Sequence, residues 1–178
     1  PSFKGAMLTG DEVIELLNLQ PLAVEGGYFR RSYRAADTLS ADALPGRYRR
    51  DKALCTAIFY LLTADPDSFS ALHRLPTDEI YHFYLGDPVE LLLLYPDGDS
   101  AVVRLGPDLR AGQQVQFVVP AGVWQGSRLA AGGSYALLGT TMAPGYDEGD
   151  YTGGDRGELS ERYPDRAQLI WGLTRSTG

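Results

Sequence analysis

Histidine and cysteine are nearly absent from this 178-residue sequence: His73, His82 and Cys55 are all it contains. One cysteine can form no intrachain disulfide, which excludes a small secreted scaffold held by cross-links. No apolar run approaches the roughly 18 residues of a membrane span. The segment Pro1 to Met7 lacks the basic-then-apolar layout of a signal peptide, so a soluble, cytoplasmic protein is expected. Basic residues are in the minority, 16 against 23 acidic, for a net charge of −7. A field of that sign repels phosphates on average, so neither nucleic acid nor a membrane is expected as a partner, although a local basic cluster can still hold an anionic ligand.

What is abundant points to strands. Gly and Pro together supply 32 residues (21 and 11), well above the roughly 12% of a typical chain. Beside them stand 19 aromatics (11 Tyr, 6 Phe, 2 Trp). That mixture excludes a helical bundle or coiled coil, which would be rich in Ala, Glu, Lys and Leu.

The chain opens with a helix signal over about residues 9–20: Thr9 as N-cap, Glu12 closing a capping box, Leu8 against Val13 as a staple, and Pro21 as the stop. After Glu25-Gly26-Gly27 comes a strand candidate, Tyr28 to Arg34, and then a polar stretch to Asp51 that reads as a surface loop. From Ala53 the text becomes almost continuous strand. Ala53 to Thr63 is apolar on both alternating faces, as in a strand covered on both sides. Further strands are expected over Ser68–Leu75, Glu79–Leu85, Val89–Tyr95, Ala101–Leu105, Val115–Val119, Val123–Leu129 and Tyr135–Met142, separated by Pro, Gly and Asp turns. A helical segment over about 155–173 closes the chain. This spacing predicts one all-β domain over 1–178, a sandwich, jelly roll or barrel with its core at about 53–142.

Several blocks carry chemistry. His73 lies on one expected strand and Glu79 opens the next, with six residues between it and Gly86; Pro120-Ala121-Gly122-Val123-Trp124-Gln125 follows. With Glu25 to Arg30, Phe69 to Arg74, Asp78 to Pro88 and Ala143-Pro144-Gly145-Tyr146, these blocks make Thr9 to Pro164 resemble the cupin superfamily, and within it the Cupin_5 family, or domain of unknown function 985. The resemblance implies a double-stranded β-helix, the cupin jelly-roll barrel, and a homodimer, without an established reaction. Metal-binding cupins commonly use three His and one Glu. Two histidines cannot supply that set, and Gln125 stands where the second motif would place a His.

Two readings of His73 and Glu79 stay open. With Gln125 they are a candidate site for a divalent metal ion, although a Gln oxygen suits hard cations better than Zn²⁺ or Fe²⁺. Without a metal they form a polar dyad able to act as acid and base, or a core network. His82, three residues from Glu79, should face the opposite side unless the strand bulges, which favours a supporting or interface role. In the Tyr28 to Arg34 strand, Tyr28 and Arg30 share one face with Ser32 and Arg34, and Phe29 shares the other with Arg31 and Tyr33. Either face pairs an aromatic with an arginine. Cys55 reads as a buried, inert thiol. The acidic run Asp147, Glu148, Asp150 and Asp155 lacks EF-hand spacing and reads as a solvated loop.

Two functions follow. One is a small-molecule-binding protein with Tyr28, Arg30, His73, Glu79, Tyr81, Trp124 and Gln125 lining the barrel. The other is an isomerase or epimerase acting on a carbohydrate-like metabolite through His73 and Glu79, with or without a weakly bound divalent metal.

Overall fold

A computed structural model describes residues 8–175; Pro1 to Met7, on which the signal-peptide reading rests, lie outside them. Helix α1 (Gly10–Leu17) is followed by β1 (Gln20–Pro21), β2 (Tyr28–Arg34), β3 (Thr38–Leu39), β4 (Lys52–Ala53), β5 (Thr56–Thr63), β6 (Phe69–Arg74) and β7 (Glu79–Gly86). Then come β8 (Val89–Leu94), β9 (Ser100–Leu105), β10 (Gln116–Val119), β11 (Trp124–Leu129), β12 (Tyr135–Met142), β13 (Thr152–Gly153), α2 (Arg156–Arg162) and α3 (Ala167–Gly172). A six-stranded antiparallel sheet runs β1-β2-β5-β12-β7-β10, and a five-stranded one runs β13-β6-β11-β8-β9. They face each other as a jelly roll, with β3 and β4 as a small separate ribbon. No helix among the described residues is long and apolar enough to cross a membrane.

Three apolar clusters account for the patterning. The largest lies between the sheets and draws Tyr60, Leu62, Tyr81 and Leu138 from one and Leu91, Leu93 and Leu105 from the other. A second covers the outer face of the five-stranded sheet, where Leu72, Leu92 and Leu94 meet Leu159, Tyr163 and Ile170 of the C-terminal helices. A third joins Val13 and Leu19 at the N-terminal end to Leu61 and Leu137 on the outer face of the six-stranded sheet. The run Leu91 to Leu94 is therefore apolar at every position because both of its faces are covered.

The helix start is as the sequence dictates: the Thr9 hydroxyl accepts from the Glu12 backbone N–H, and the Glu12 carboxylate accepts from the Thr9 N–H at 2.7 Å. The helix ends earlier than Pro21 would force, at Leu17, because Asn18 turns left-handed (φ 49°). The expected strand Ala53 to Thr63 divides into β4 and β5. Cys55 falls in the break, half-buried rather than inside a strand. The polar stretch before Asp51 is anchored rather than free, since Tyr48 is buried and its hydroxyl meets Thr77 Oγ1 at 2.9 Å.

Leu138 is fully buried on β12, between β5 and β7. Leu138→Ala is expected to cost roughly 2–5 kcal/mol, the usual range for an unfilled core cavity. The readout is a lower urea midpoint with unchanged slope; a loss below about 1 kcal/mol would mean that this position is not tightly packed.

Candidate functional site

A cavity of about 680 Å³ opens at one end of the barrel, and His73 and Glu79 are on its wall. Each arrives by a specific backbone device. Glu79 opens β7, and strict alternation sends Glu79 and Tyr81 inward while His82 points out. On β6 the pairing with β11 slips, Gln125 opposing His73 and Ser127 opposing Ser70. That bulge lets Ser70 and His73, three residues apart, both turn inward while Phe69 and Leu72 pack outward under the C-terminal helices.

The Gln125 amide on β11 donates from Nε2 to Glu79 Oε2 at 2.8 Å, joining the two sheets. His73 Nδ1 donates to the Ala71 carbonyl at 2.7 Å. In the neutral ring this leaves Nε2 with the lone pair. The imidazole stacks on Tyr151, centroids 5.0 Å apart and planes at 17°. The hydrogen bonds of His73 and Glu79 go elsewhere, and His73 acts on the Glu79 carboxyl as a neighbouring charge.

Burial pushes the Glu79 carboxyl above the usual carboxylate range, and the Glu25 charge adds to this. His73 acts in the opposite sense, as do hydrogen bonds from Thr140 and Gln125. Burial, reinforced by Glu25, also pushes the Tyr146 phenol up to about 12. The Tyr151 phenol is raised by the same two causes. Both tyrosines therefore remain neutral hydroxyl donors near neutrality.

Glu25, Tyr146 and Tyr151 are cavity residues that the sequence reading did not select. The signal for Glu25 was the Gly pair after it. Gly26 and Gly27 adopt φ of 108° and 67°, and a Cβ on Gly26 would come within 2.1 Å of the Phe69 carbonyl oxygen. This tight turn docks on β6: the Glu25 carbonyl accepts from Ala71 N–H at 2.8 Å, and the Glu25 carboxylate accepts from the Ser70 hydroxyl. The tyrosines come from the acidic segment read as a solvated loop. The structure corrects that reading in part: Glu148 and Asp155 are exposed, but Asp147 and Asp150 are half-buried where the segment borders the cavity. Buried Lys52 forms an ion pair with Asp150, Asp147 caps the short turn that follows it, and Asp155 caps α2. Asp147 and Asp155 are held by local backbone and Asp150 also by Lys52, a lysine only 3% exposed whose charge must be matched, while Glu148 is exposed.

Other expected lining residues fall elsewhere. Tyr28 and Arg30 face away from the cavity: Tyr28 packs with the α1 cluster, and the Arg30 guanidinium lies 5.4 Å from the Phe59 ring centroid. The inward face of β2 carries Phe29 and Arg31. A bulge between Arg31 and Tyr33 then brings Arg34 to the cavity. Trp124 is on the outer side of β11, under the Arg74 guanidinium at 4.7 Å. Tyr81 is buried in the inter-sheet core, deeper than the cavity wall, and Gln125 lies behind Glu79 rather than on the wall. His82 joins an outer ladder, stacked on Tyr84 at 6.3 Å and hydrogen-bonded to Thr141 at 3.2 Å.

The donor set does not fit a metal ion. Among the described residues no three His, Cys, Asp or Glu converge as ligands would. The third member of the expected set, Gln125, turns its N–H donor to Glu79 and leaves Oε1 buried without a partner. Glu25, although on the same wall, accepts from Ser70 instead.

The comparisons agree with this architecture. A model of the Cupin_5 family, Cupin superfamily (DUF985), matches residues 11–153. The chain belongs to that family. It is 29% identical over 136 residues to uncharacterized protein YML079W of Saccharomyces cerevisiae, covering 72% of this chain and 67% of that one. Among solved structures, protein SO0799 from Shewanella oneidensis superposes with a TM-score of 0.82 at 30% identity, covering 95% of this chain and 99% of that one. A hypothetical protein from Leishmania major superposes at 0.83 with 28% identity, covering 95% and 100%.

The raised Glu79 carboxyl has a signed consequence. A group whose pKa is higher folded than unfolded contributes stability below its unfolded value, near 4.5, and that contribution is lost as pH rises through the folded value. Glu79→Gln removes this dependence. Thermal melts should show variant and parent alike at pH 4, with the variant increasingly the more stable towards pH 8. A gap that is constant with pH would contradict the burial of an ionising carboxyl.

Proposed function

We propose that this Cupin_5 protein is a cytoplasmic, homodimeric small-molecule binder whose ligand is a hydroxyl-rich, carbohydrate-like metabolite held in the barrel cavity. The observation that carries the reading is the cavity wall: the carboxylates of Glu25 and Glu79, the bare Nε2 of His73 and the neutral hydroxyls of Tyr146 and Tyr151 converge on about 680 Å³. That volume is within the range of small-molecule sites. Carboxylates accept from ligand hydroxyls, phenols donate, and the stacked His73 and Tyr151 rings offer a flat surface. The dimer reading is supported by the outer face of the six-stranded sheet, where Tyr84 and Val118 are 48% and 45% exposed beside His82.

One observation favours a second reading, in which the bound molecule is isomerised or epimerised. His73 is locked with its donor nitrogen on the backbone, so the other nitrogen can take a proton from carbon, while a carboxyl of raised pKa stands ready to return one. Both steps need only the two side chains and the substrate: a C–H bond breaks, its electron pair passes into an adjacent carbonyl, and reprotonation on the other face inverts the centre.

A thermal-shift screen of sugars and sugar acids should find a stabilising ligand, and Tyr151→Ala or Glu25→Gln should reduce the shift by more than half. Ligands that stabilise parent and variants equally would refute binding in the cavity. For the second reading, a true substrate should exchange hydrogen for deuterium in heavy water, and His73→Ala should abolish the exchange. Light scattering of the pure protein should report twice the monomer mass, and Val118→Asp should halve it.

A further inference from the structure

A second cleft, of about 540 Å³, lies against the first, the two sharing Leu75 and Asp147 in their walls. Its lining inverts the charge of the molecule. Five cations, Arg47, Arg49, Arg50, Lys52 and Arg74, face two carboxylates, Asp147 and Asp150, in a chain of net charge −7.

The local balance narrows further when each carboxylate is assigned. Asp150 is taken up by buried Lys52, and Asp147 is 4.0 Å from Arg50. Arg47, Arg49 and Arg74 have no carboxylate within ion-pair distance among the described residues. Two of the three are nonetheless fixed. Arg47 lies over the Tyr48 ring at 4.7 Å and donates from Nε to the Pro76 carbonyl at 2.8 Å. Arg74 lies over Trp124 at 4.7 Å. An arginine held by its face against an aromatic ring keeps its N–H edge directed outward, the geometry that binds a tetrahedral oxyanion through two parallel hydrogen bonds. Holding the side chains in place beforehand removes part of the entropy cost of binding.

We propose that this cleft is a phosphate subsite and that the ligand of the adjoining cavity is a phosphorylated small molecule. The claim rests on the cavity reading above and adds the ligand class to it. The phosphate sits among Arg47, Arg49 and Arg74, and the hydroxyl-bearing remainder passes Leu75 and Asp147 towards His73 and Glu79. A compact dianion matches the three surplus cations, whereas a long polyanion would meet the repulsion of the acidic remainder.

Inorganic phosphate, titrated into the whole chain at low ionic strength and followed by calorimetry, is the direct probe. Saturable binding is expected, and Arg49→Ala and Arg74→Ala should each weaken it by roughly tenfold, the effect of about 1.4 kcal/mol. Arg74→Lys, which keeps the charge and loses the planar fork, should fall between. Arg104→Ala, on the far edge strand β9, should leave the affinity unchanged. These arginines are exposed, so circular dichroism should show that the variants are folded. No saturable binding, or equal affinity in parent and both alanine variants, overturns the subsite. Phosphate binding that His73→Ala abolishes and the arginine variants do not would place the anion in the inner cavity, overturning the subsite and leaving the cavity reading intact. If the arginines are required but no sugar or sugar phosphate responds to Tyr151→Ala, the subsite survives and the cavity reading fails.

Discussion

The hydrogen bond from Gln125 to Glu79 governs much of what surrounds it. It connects β11 of one sheet to β7 of the other inside the barrel, at 2.8 Å and out of water. A carboxylate there cannot be surrounded by leucine alone, since desolvation would drive it neutral or unfold the site. The apolar core that fills the space between the sheets therefore stops below Glu79, and a polar cavity takes its place. Gln125 also explains why this barrel does not follow metal-loaded cupins. An imidazole at that position could turn a lone pair to a cation beside Glu79, whereas the amide gives its N–H to the carboxylate and consumes one of the oxygens a metal would need.

A polar cavity requires a mouth of defined shape, and a loop of glycines and acids would not provide one unaided. The Lys52 and Asp150 pair supplies the constraint. Lys52 is buried, so its charge must be matched nearby, and the match comes from a segment almost a hundred residues later in the chain. Fixing Asp150 fixes the turn from Asp147 to Asp150, whose backbone N–H groups are capped by the same two side chains. Tyr146 and Tyr151 flank that turn and are carried to the cavity wall with it. On the opposite side the Glu25 turn is seated by backbone contacts to β6. The mouth is thus built from two loops, each held by a buried polar interaction.

The fold was largely legible because its signals were local or periodic. Alternation on β7 separated Glu79 from His82, the capping box located α1, and continuous apolar runs marked strands with both faces covered. The site was less legible, for reasons visible residue by residue. The inward face of the Tyr28 strand depended on what covered the other face, and that was α1, packed against Tyr28. The inward turn of Ser70 and His73 together depended on a bulge that leaves no mark in the residue types. The acidic loop looked solvated because its partner, Lys52, is remote in sequence. Glu25 was visible as part of a motif, but nothing in the spacing of Glu25-Gly26-Gly27 says that the turn would dock its carboxylate on Ser70.

The two clefts also give a physical meaning to the charge of the chain. Overall the acidic excess discourages long polyanions, yet the arginines on the 47–50 segment and at the end of β6 create a local positive field beside a cavity whose wall carries Glu25 and Glu79, with Arg31 and Arg34 on its β2 side. Such a field gradient would orient the proposed ligand, which carries a negative group at one end and neutral hydroxyls at the other. Reversed, the same molecule would set its anion against Glu25 and Glu79 in a low-dielectric pocket, where like-charge repulsion is far stronger than at the surface. In the proposed complex the inner carboxylates would do two things at once: accept hydrogen bonds from hydroxyls, and reject the charged end of a ligand that presents it first. Orientation of that kind costs no extra contact, because it follows from where the acidic and basic residues of the mouth are held.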